Sequence, residues 1–371
     1  MKTLGIGVIG CGNIAPYYLR NARAFQAIDI RALADLDQDL AARRGAEFGL
    51  PAMTTDALLT RDDIDIVLNL TPPSAHVAVT TAALQAGKHV YSEKPLAVTV
   101  DAARQLADLA GDMHLMLCVA PDTFLGAAHQ HARRLIDGGD LGTIIGGTAF
   151  FLSPGMEGWH PNPAFFYREG GGPLLDMAPY YITLLVNLLG PVDRVAAMSS
   201  TPQATRRVTA DGPFQNTDIP VDVPTTCWSL LHFASGAQVM FGMSWDVKAH
   251  DLPFIELFGT GGSVRLADPD QFGGKVRHST GGDWTVIDTE TDRFGGIDGQ
   301  WNDYRSLGLA DMAMALNEDR EPQAALGRAL HVLDVIETVA RAATSEQILR
   351  PATTCDRAAP FDADGIVLRP V

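Results

Sequence analysis

A short apolar run, residues 4–9, stops at Gly10-Cys11-Gly12-Asn13-Ile14-Ala15. No other stretch restricts the fold as tightly. A strand that enters a glycine turn and leaves as a helix needs Gly10 for the turn. Gly12 lets a ligand come against backbone at the helix N-terminus, and Ala15 keeps helix and strand close. Asp35 lies 23 residues after Gly12, at the end of the next apolar run. A carboxylate there accepts hydrogen bonds from ribose hydroxyls and repels a 2′-phosphate. The pattern predicts a dinucleotide site, with Gly10, Gly12, Asn13 and Ile14 along the pyrophosphate. It favours NAD, with NADP still possible. Asp37 is a rival for the ribose, and a plain strand-to-helix turn is the alternative reading.

The first 120 residues alternate short apolar runs with helix-period segments. Strands are predicted at residues 4–9, 28–34, 64–71, 89–92 and 114–120, and helices at 13–25, 38–48, 74–86 and 99–110. That order implies an α/β fold with a doubly wound parallel sheet whose ligands lie at the carboxyl ends of its strands. After a helix at 124–136 the texture changes. Strand-like segments follow one another at 143–152, 194–199, 226–233, 237–245, 254–258 and 263–267. Turns such as Ser235-Gly236 and Gly259-Thr260-Gly261-Gly262 suggest hairpins. The second half therefore reads as an α+β domain with a largely antiparallel open sheet. Helices are predicted at 177–192, 304–317 and 323–343, and the domain boundary is placed after residue 122, giving domains 1–122 and 123–371.

Two further motifs fall at the same sheet edge. Thr71-Pro72-Pro73-Ser74-Ala75-His76 ends one strand and starts a helix, so Thr71, Pro72 and His76 are candidate cofactor contacts. Ser92-Glu93-Lys94-Pro95 follows another strand. There Lys94 can reach a bound nicotinamide and its substrate, with Glu93 beside it. Only five of the 28 basic residues are lysines, so a chain that favours Arg has kept an amine here, whose pKa is tunable.

With these motifs in place the chain resembles the glucose-fructose oxidoreductase and inositol dehydrogenase family (Gfo/Idh/MocA). The likeness continues through Gly170-Gly171-Gly172-Pro173-Leu174-Leu175-Asp176-Met177-Ala178-Pro179-Tyr180. The resemblance implies a Rossmann domain for NAD or NADP and a second domain that contacts substrate and often forms an oligomer interface. It also implies a catalytic Lys94, and an aspartate and histidine in a DxxxH pattern. Asp176 matches, but the histidine position is Tyr180, as in the glucose-fructose oxidoreductases and dihydrodiol dehydrogenases. Residues four apart share a helix face. Pro179 is tolerated if the helix begins near Asp176, where a proline loses no hydrogen bond.

A tyrosine base near neutral pH needs its pKa lowered by roughly 3 units, about 4 kcal/mol. A lysine cation at ~4 Å in a partly screened site supplies about that much. Lys94 is therefore expected to activate Tyr180, with Asp176 holding Lys94. Trp159 and His160, in Trp159-His160-Pro161-Asn162-Pro163, are candidate substrate contacts. Asp122, where relatives often carry an arginine-containing stretch, is expected to face substrate hydroxyls. Trp301 and Arg305 receive no role.

Composition closes off other classes. A net charge of −16 with only isolated Arg pairs argues against nucleic acid and anionic membranes. Four scattered cysteines argue for a reducing, cytoplasmic setting without structural metal. The expected protein is an NAD(P)-dependent dehydrogenase of a sugar or cyclitol hydroxyl, a homodimer or homotetramer acting on a small polyol. An NADPH-dependent reductase of a keto-sugar or diketone and a non-catalytic nucleotide sensor are the alternatives.

Overall fold

The computed structural model describes residues 2–296 and 304–369. Trp301 lies outside the described residues. The first half holds strands β1 (Leu4–Ile9), β2 (Ile28–Ala34), β3 (Ala52–Met53), β4 (Ile66–Asn69), β5 (His89–Ser92) and β6 (Leu117–Val119). Helices α1 (Ala15–Ala22), α2 (Gln38–Phe48), α3 (Thr55–Leu59), α4 (Pro73–Gln85) and α5 (Val100–Asp112) connect them. The strands pair in the order β3-β2-β1-β4-β5-β6, all parallel. β1, β4 and β6 are buried throughout, as strands covered on both faces must be. The strand order reverses between β1 and β4, so the crevice at their carboxyl ends is where a doubly wound sheet binds its ligand.

The second half continues with α6 (Ala127–Asp137), β7 (Ile144–Leu152), α7 (Gly172–Leu189), β8 (Val192–Ser200), β9 (Thr205–Arg207), β10 (Asp218–Pro220), β11 (Thr226–Phe233) and β12 (Gln238–Ser244). It ends with β13 (Ile255–Gly259), β14 (Ser263–Leu266), β15 (Lys275–Ser279), β16 (Thr285–Asp288), α8 (Leu307–Glu318) and α9 (Leu326–Ser345). Eight strands form one sheet in the order β16-β15-β14-β13-β7-β12-β11-β8. Only β12 and β7 run parallel. The two expected hairpins are present, β11 with β12 and β13 with β14. Sequence patterning missed the short strands β9, β10, β15 and β16. α7 and α9 cover one face of the sheet, and α9 also packs against α5 and β6. The second half is thereby anchored on the edge of the first.

The start of one helix bears on the site. α7 begins at Gly172 with Pro173 in its first turn, so Pro179 lies inside the helix. Its missing N–H and its ring disturb the turn before it, which includes the Asp176 backbone.

Candidate active site

The glycine turn follows β1 with Gly10 at φ +104°, where a Cβ would lie 2.5 Å from the Leu70 backbone. Gly12 is the opposite case. A Cβ there would meet nothing within 4 Å, leaving open space over the start of α1, which no side chain caps. Asp35 faces this space from the end of β2. Its Oδ2 accepts from Cys11 N at 2.7 Å and its Oδ1 from Asp37 N at 2.9 Å, so it braces the turn and keeps lone pairs for a ribose. Asp37, its rival, instead caps α2 through Leu40 N. Leu36 projects fully into solvent beside it. An open cradle at a helix N-terminus, with a fixed carboxylate beyond it, fits a nicotinamide dinucleotide.

The other edge residues act mainly on each other. The Thr71 hydroxyl donates to Asn69 Oδ1 at 2.7 Å, and Pro72 is the N-cap of α4. His76 is buried, not exposed. Its Nδ1 lies 2.7 Å from Pro95 O and its Nε2 2.7 Å from Thr71 O. It ties the end of β4 to the segment carrying Lys94. Glu93 is turned inward as well: Oε1 accepts from Tyr18 Oη at 2.8 Å and Oε2 from Lys94 N at 2.8 Å. His76 and Glu93 were expected to touch cofactor; their atoms are used to shape the lysine loop.

Lys94 Nζ donates to Asp176 Oδ1 at 3.0 Å and to the Asp176 carbonyl at 2.6 Å. That carbonyl lies in the turn before Pro179, whose missing N–H leaves the neighbouring Leu175 carbonyl without its helical donor. One helical turn on, the Tyr180 ring lies with its centroid 4.8 Å from Nζ. Burial works against the Lys94 charge, but Asp176 chiefly holds the ammonium above its ordinary value. Lys94 is thus a fixed cation and donor.

Arg305, unassigned from sequence, is fully buried and completes the cluster. Its Nη2 bonds Asp270 Oδ1 at 3.0 Å and reaches Tyr180 Oη at 3.5 Å, while Nη1 lies 4.0 Å from Glu93 Oε1. The phenol oxygen therefore has a cation beside it that no motif announced. The expected activation of Tyr180 is nevertheless reversed. Burial first, then Asp270, raises the phenol above its ordinary range, and the opposing pull of Lys94 and Arg305 does not overcome them. The lysine's charge is largely answered by Asp176. Tyr180 consequently holds its proton.

Asp122 does not face a cleft. It is fully buried, and its Oδ2 accepts from Gly308 N at 3.0 Å. A Cβ on Gly308 would lie 2.5 Å from Tyr91 Oη, so Asp122 docks α8 at a contact only glycine permits. Trp159 is exposed, and His160 sits edge-on to Trp159, Phe165 and Phe166 with ring centroids 5.3–5.5 Å away. Among the described residues no direct contact joins this pair to the Lys94 cluster.

Residues 4–120 match the model of the oxidoreductase family with an NAD-binding Rossmann fold, and residues 129–265 match the GFO/IDH/MocA C-terminal domain. The chain belongs to the Gfo/Idh/MocA oxidoreductase family. Among its relatives is a dTDP-3,4-didehydro-2,6-dideoxy-alpha-D-glucose 3-reductase of Streptomyces antibioticus, 31% identical over 71% of this chain and 75% of the relative. Levoglucosan dehydrogenase of Pseudarthrobacter phenanthrenivorans is 28% identical over 71% of this chain and 73% of its own. A solved levoglucosan dehydrogenase in complex with NADH and levoglucosan shares the fold, with a TM-score of 0.81 and 21% identity over 95% of this chain and all of that one. As a Gfo/Idh/MocA protein the chain is an NAD(P)-dependent oxidoreductase. Among the described residues no group of His, Cys, Asp or Glu could hold a metal, and no helix is long and apolar enough to cross a membrane.

Proposed function

We propose that the chain interconverts a secondary hydroxyl and a carbonyl on a sugar or related cyclic polyol, with Tyr180 as proton donor and acceptor. The observation that carries this reading is the convergence of the half-buried Lys94 and Asp176 with the buried Tyr180 and Arg305 in one cluster at the cofactor edge. The nicotinamide, when bound, supplies or accepts the hydride. In reduction, Tyr180 Oη gives its proton to the developing alkoxide, which Lys94 and Arg305 stabilise by charge. Asp176 holds Lys94 in place. In oxidation Tyr180 must shed that proton against the cost of burial, which makes its proton transfer easier in reduction. Sugar keto-reductase and sugar dehydrogenase relatives support the substrate class. Trp159, exposed on its loop, offers a face on which a ring substrate stacks, with His160 beside it.

Asp35 supports NAD as the preferred cofactor. The nearby Arg44 is committed to Cys11 O and to Glu47 at 2.6 Å, which leaves it poorly placed to greet a 2′-phosphate. A homo-oligomer is supported by the outer face of the larger sheet. Met198, Trp228, Leu230 and Met240 are exposed there, and strand register places them side by side. A cytoplasmic setting suits four unpaired cysteines. The test is a panel of pyranoses, anhydrosugars, inositols and their keto forms followed at the nicotinamide absorbance in both directions. No turnover of any member, with NADH still bound, would overturn the enzymatic reading in favour of a sensor.

A further inference from the structure

Behind the Lys94 segment lies a cavity that the redox chemistry does not use. Its wall includes Lys94, Pro121, Pro179, Thr183, Ala325 and Arg328. The room open to the centre of a water-sized sphere is about 20 Å³, and ~10–15 Å³ admits one such particle. Arg328 enters from the first turn of α9 and is 5% exposed. Its Nε and Nη1 have no hydrogen-bond partner. Its guanidinium carbon lies 4.7 Å over the Phe124 ring, which lines the same cavity. Cys355, Glu321 and Asp311 act on it only across space, and burial pushes its pKa down to about 10.

The start of α9 adds to the same field. Ala325 is its N-cap, no side chain caps it, and its first turn holds no acidic residue. The positive end of a 20-residue helix therefore borders the cavity, with Ala325 in its wall beside an unanswered cation. Lys94 is positive too, though Asp176 answers it. A water molecule would meet the hydrogen-bonding need and leave the charge desolvated and unpaired, which is costly. A monovalent anion of similar size meets both needs.

We propose that the cavity is a binding site for a chloride-sized monovalent anion, held by Arg328 Nε and Nη1 and the first turn of α9. The site is independent of the sugar reading, so either can fail alone. The test uses the full chain. Its melting temperature is followed as chloride replaces gluconate at constant ionic strength, for wild type and Arg328→Met, and wild-type crystals are grown in bromide. The expected result is a saturable rise of about 2 °C or more in wild type, none in the variant, and an anomalous bromide peak within hydrogen-bond distance of Arg328. Equal responses to chloride and gluconate in wild type, or no bromide peak, would overturn the proposal. Should Arg328→Met fail to fold, the two wild-type measurements decide.

Discussion

Arg305 Nη2 stands 3.5 Å from Tyr180 Oη while bonded to Asp270 Oδ1 at 3.0 Å. The position links a half-buried carboxylate, a buried guanidinium and the proposed proton donor, with Glu93 on the far side. Arg305→Lys keeps the charge but loses the planar fork that can face two partners at once. The expected outcome is a folded enzyme with kcat lowered about ten- to hundredfold, the worth of one charge-assisted hydrogen bond. Cofactor affinity, measured by NADH fluorescence titration, should stay within about threefold, since the partners Tyr180, Asp270 and Glu93 lie outside the glycine turn. Arg305→Leu should instead lose stability by about 3 kcal/mol, because the buried Glu93 and the half-buried Asp270 are left without their cation.

Lys94 carries a second expectation. Its ammonium is held by Asp176 and lies against the Tyr180 ring, so its loss should strike chemistry and spare binding. Lys94→Ala is expected to abolish turnover while the NADH dissociation constant barely moves. A variant turning over near the wild-type rate would remove Lys94 from the mechanism.

The Tyr180 phenol sets the pH dependence. Its pKa is raised by burial and Asp270 beyond what Lys94 and Arg305 recover, so the acid form persists through alkaline pH. Carbonyl reduction should then show no loss of kcat attributable to Tyr180 up to about pH 10, the ordinary tyrosine value. Alcohol oxidation should climb over the same range as deprotonation becomes easier. Tyr180→Phe should remove the climb. Stopped-flow rates in both directions from pH 6 to 10 provide the check.

These expectations show where the sequence spoke and where it was silent. The parallel sheet was readable because its signals are local: a glycine turn at the end of β1, an acid at the end of β2, and motifs at the ends of β4 and β5. The pairing of Lys94 with Asp176 was readable as two motifs, and the fold brings them to 3.0 Å. Arg305 and Asp270 sit in irregular segments with no period or spacing to mark them, and only tertiary packing brings them to Tyr180. Asp122 was misplaced because its burial depends on α8 arriving at Gly308, far along the chain. The start of α7 was misjudged by assigning Pro179 to the first turn that Pro173 occupies. The Tyr180 error was energetic: a pairwise attraction to Lys94 was counted without the cost of burying the phenolate.

The glycine turn offers a contrast between two neighbours. Gly12→Val places its side chain in open space in the unliganded chain, so its melting temperature should match wild type while NADH affinity falls at least about tenfold through collision with the dinucleotide. Gly10→Ala meets the Leu70 backbone at a positive φ and should lose stability by at least about 1–2 kcal/mol. Melting curves and fluorescence titrations of both variants separate the folding role from the binding role. Equal losses of stability in the two would contradict the open cradle.

Asp122 gives a pH-dependent stability with a definite sign. Burial raises its pKa to about 6, against the pull of Arg305 and the Gly308 amide. Below about pH 4 the group is protonated in both folded and unfolded chains and contributes no difference. Between pH 4 and 6 the unfolded chain releases the proton and the folded chain keeps it, so stability falls as pH rises. Above pH 6 the cost levels off at about 3 kcal/mol, the worth of roughly 2 pKa units. Asp122→Asn keeps an oxygen for the Gly308 N–H and carries no charge. Its urea midpoint should match wild type near pH 4 and exceed it increasingly toward pH 7. Comparing variant and wild type at each pH cancels other titrating groups, including His129, whose pKa burial lowers to about 4. A variant less stable than wild type at pH 7 would mean that Arg305 and the Gly308 amide more than compensate the buried carboxylate.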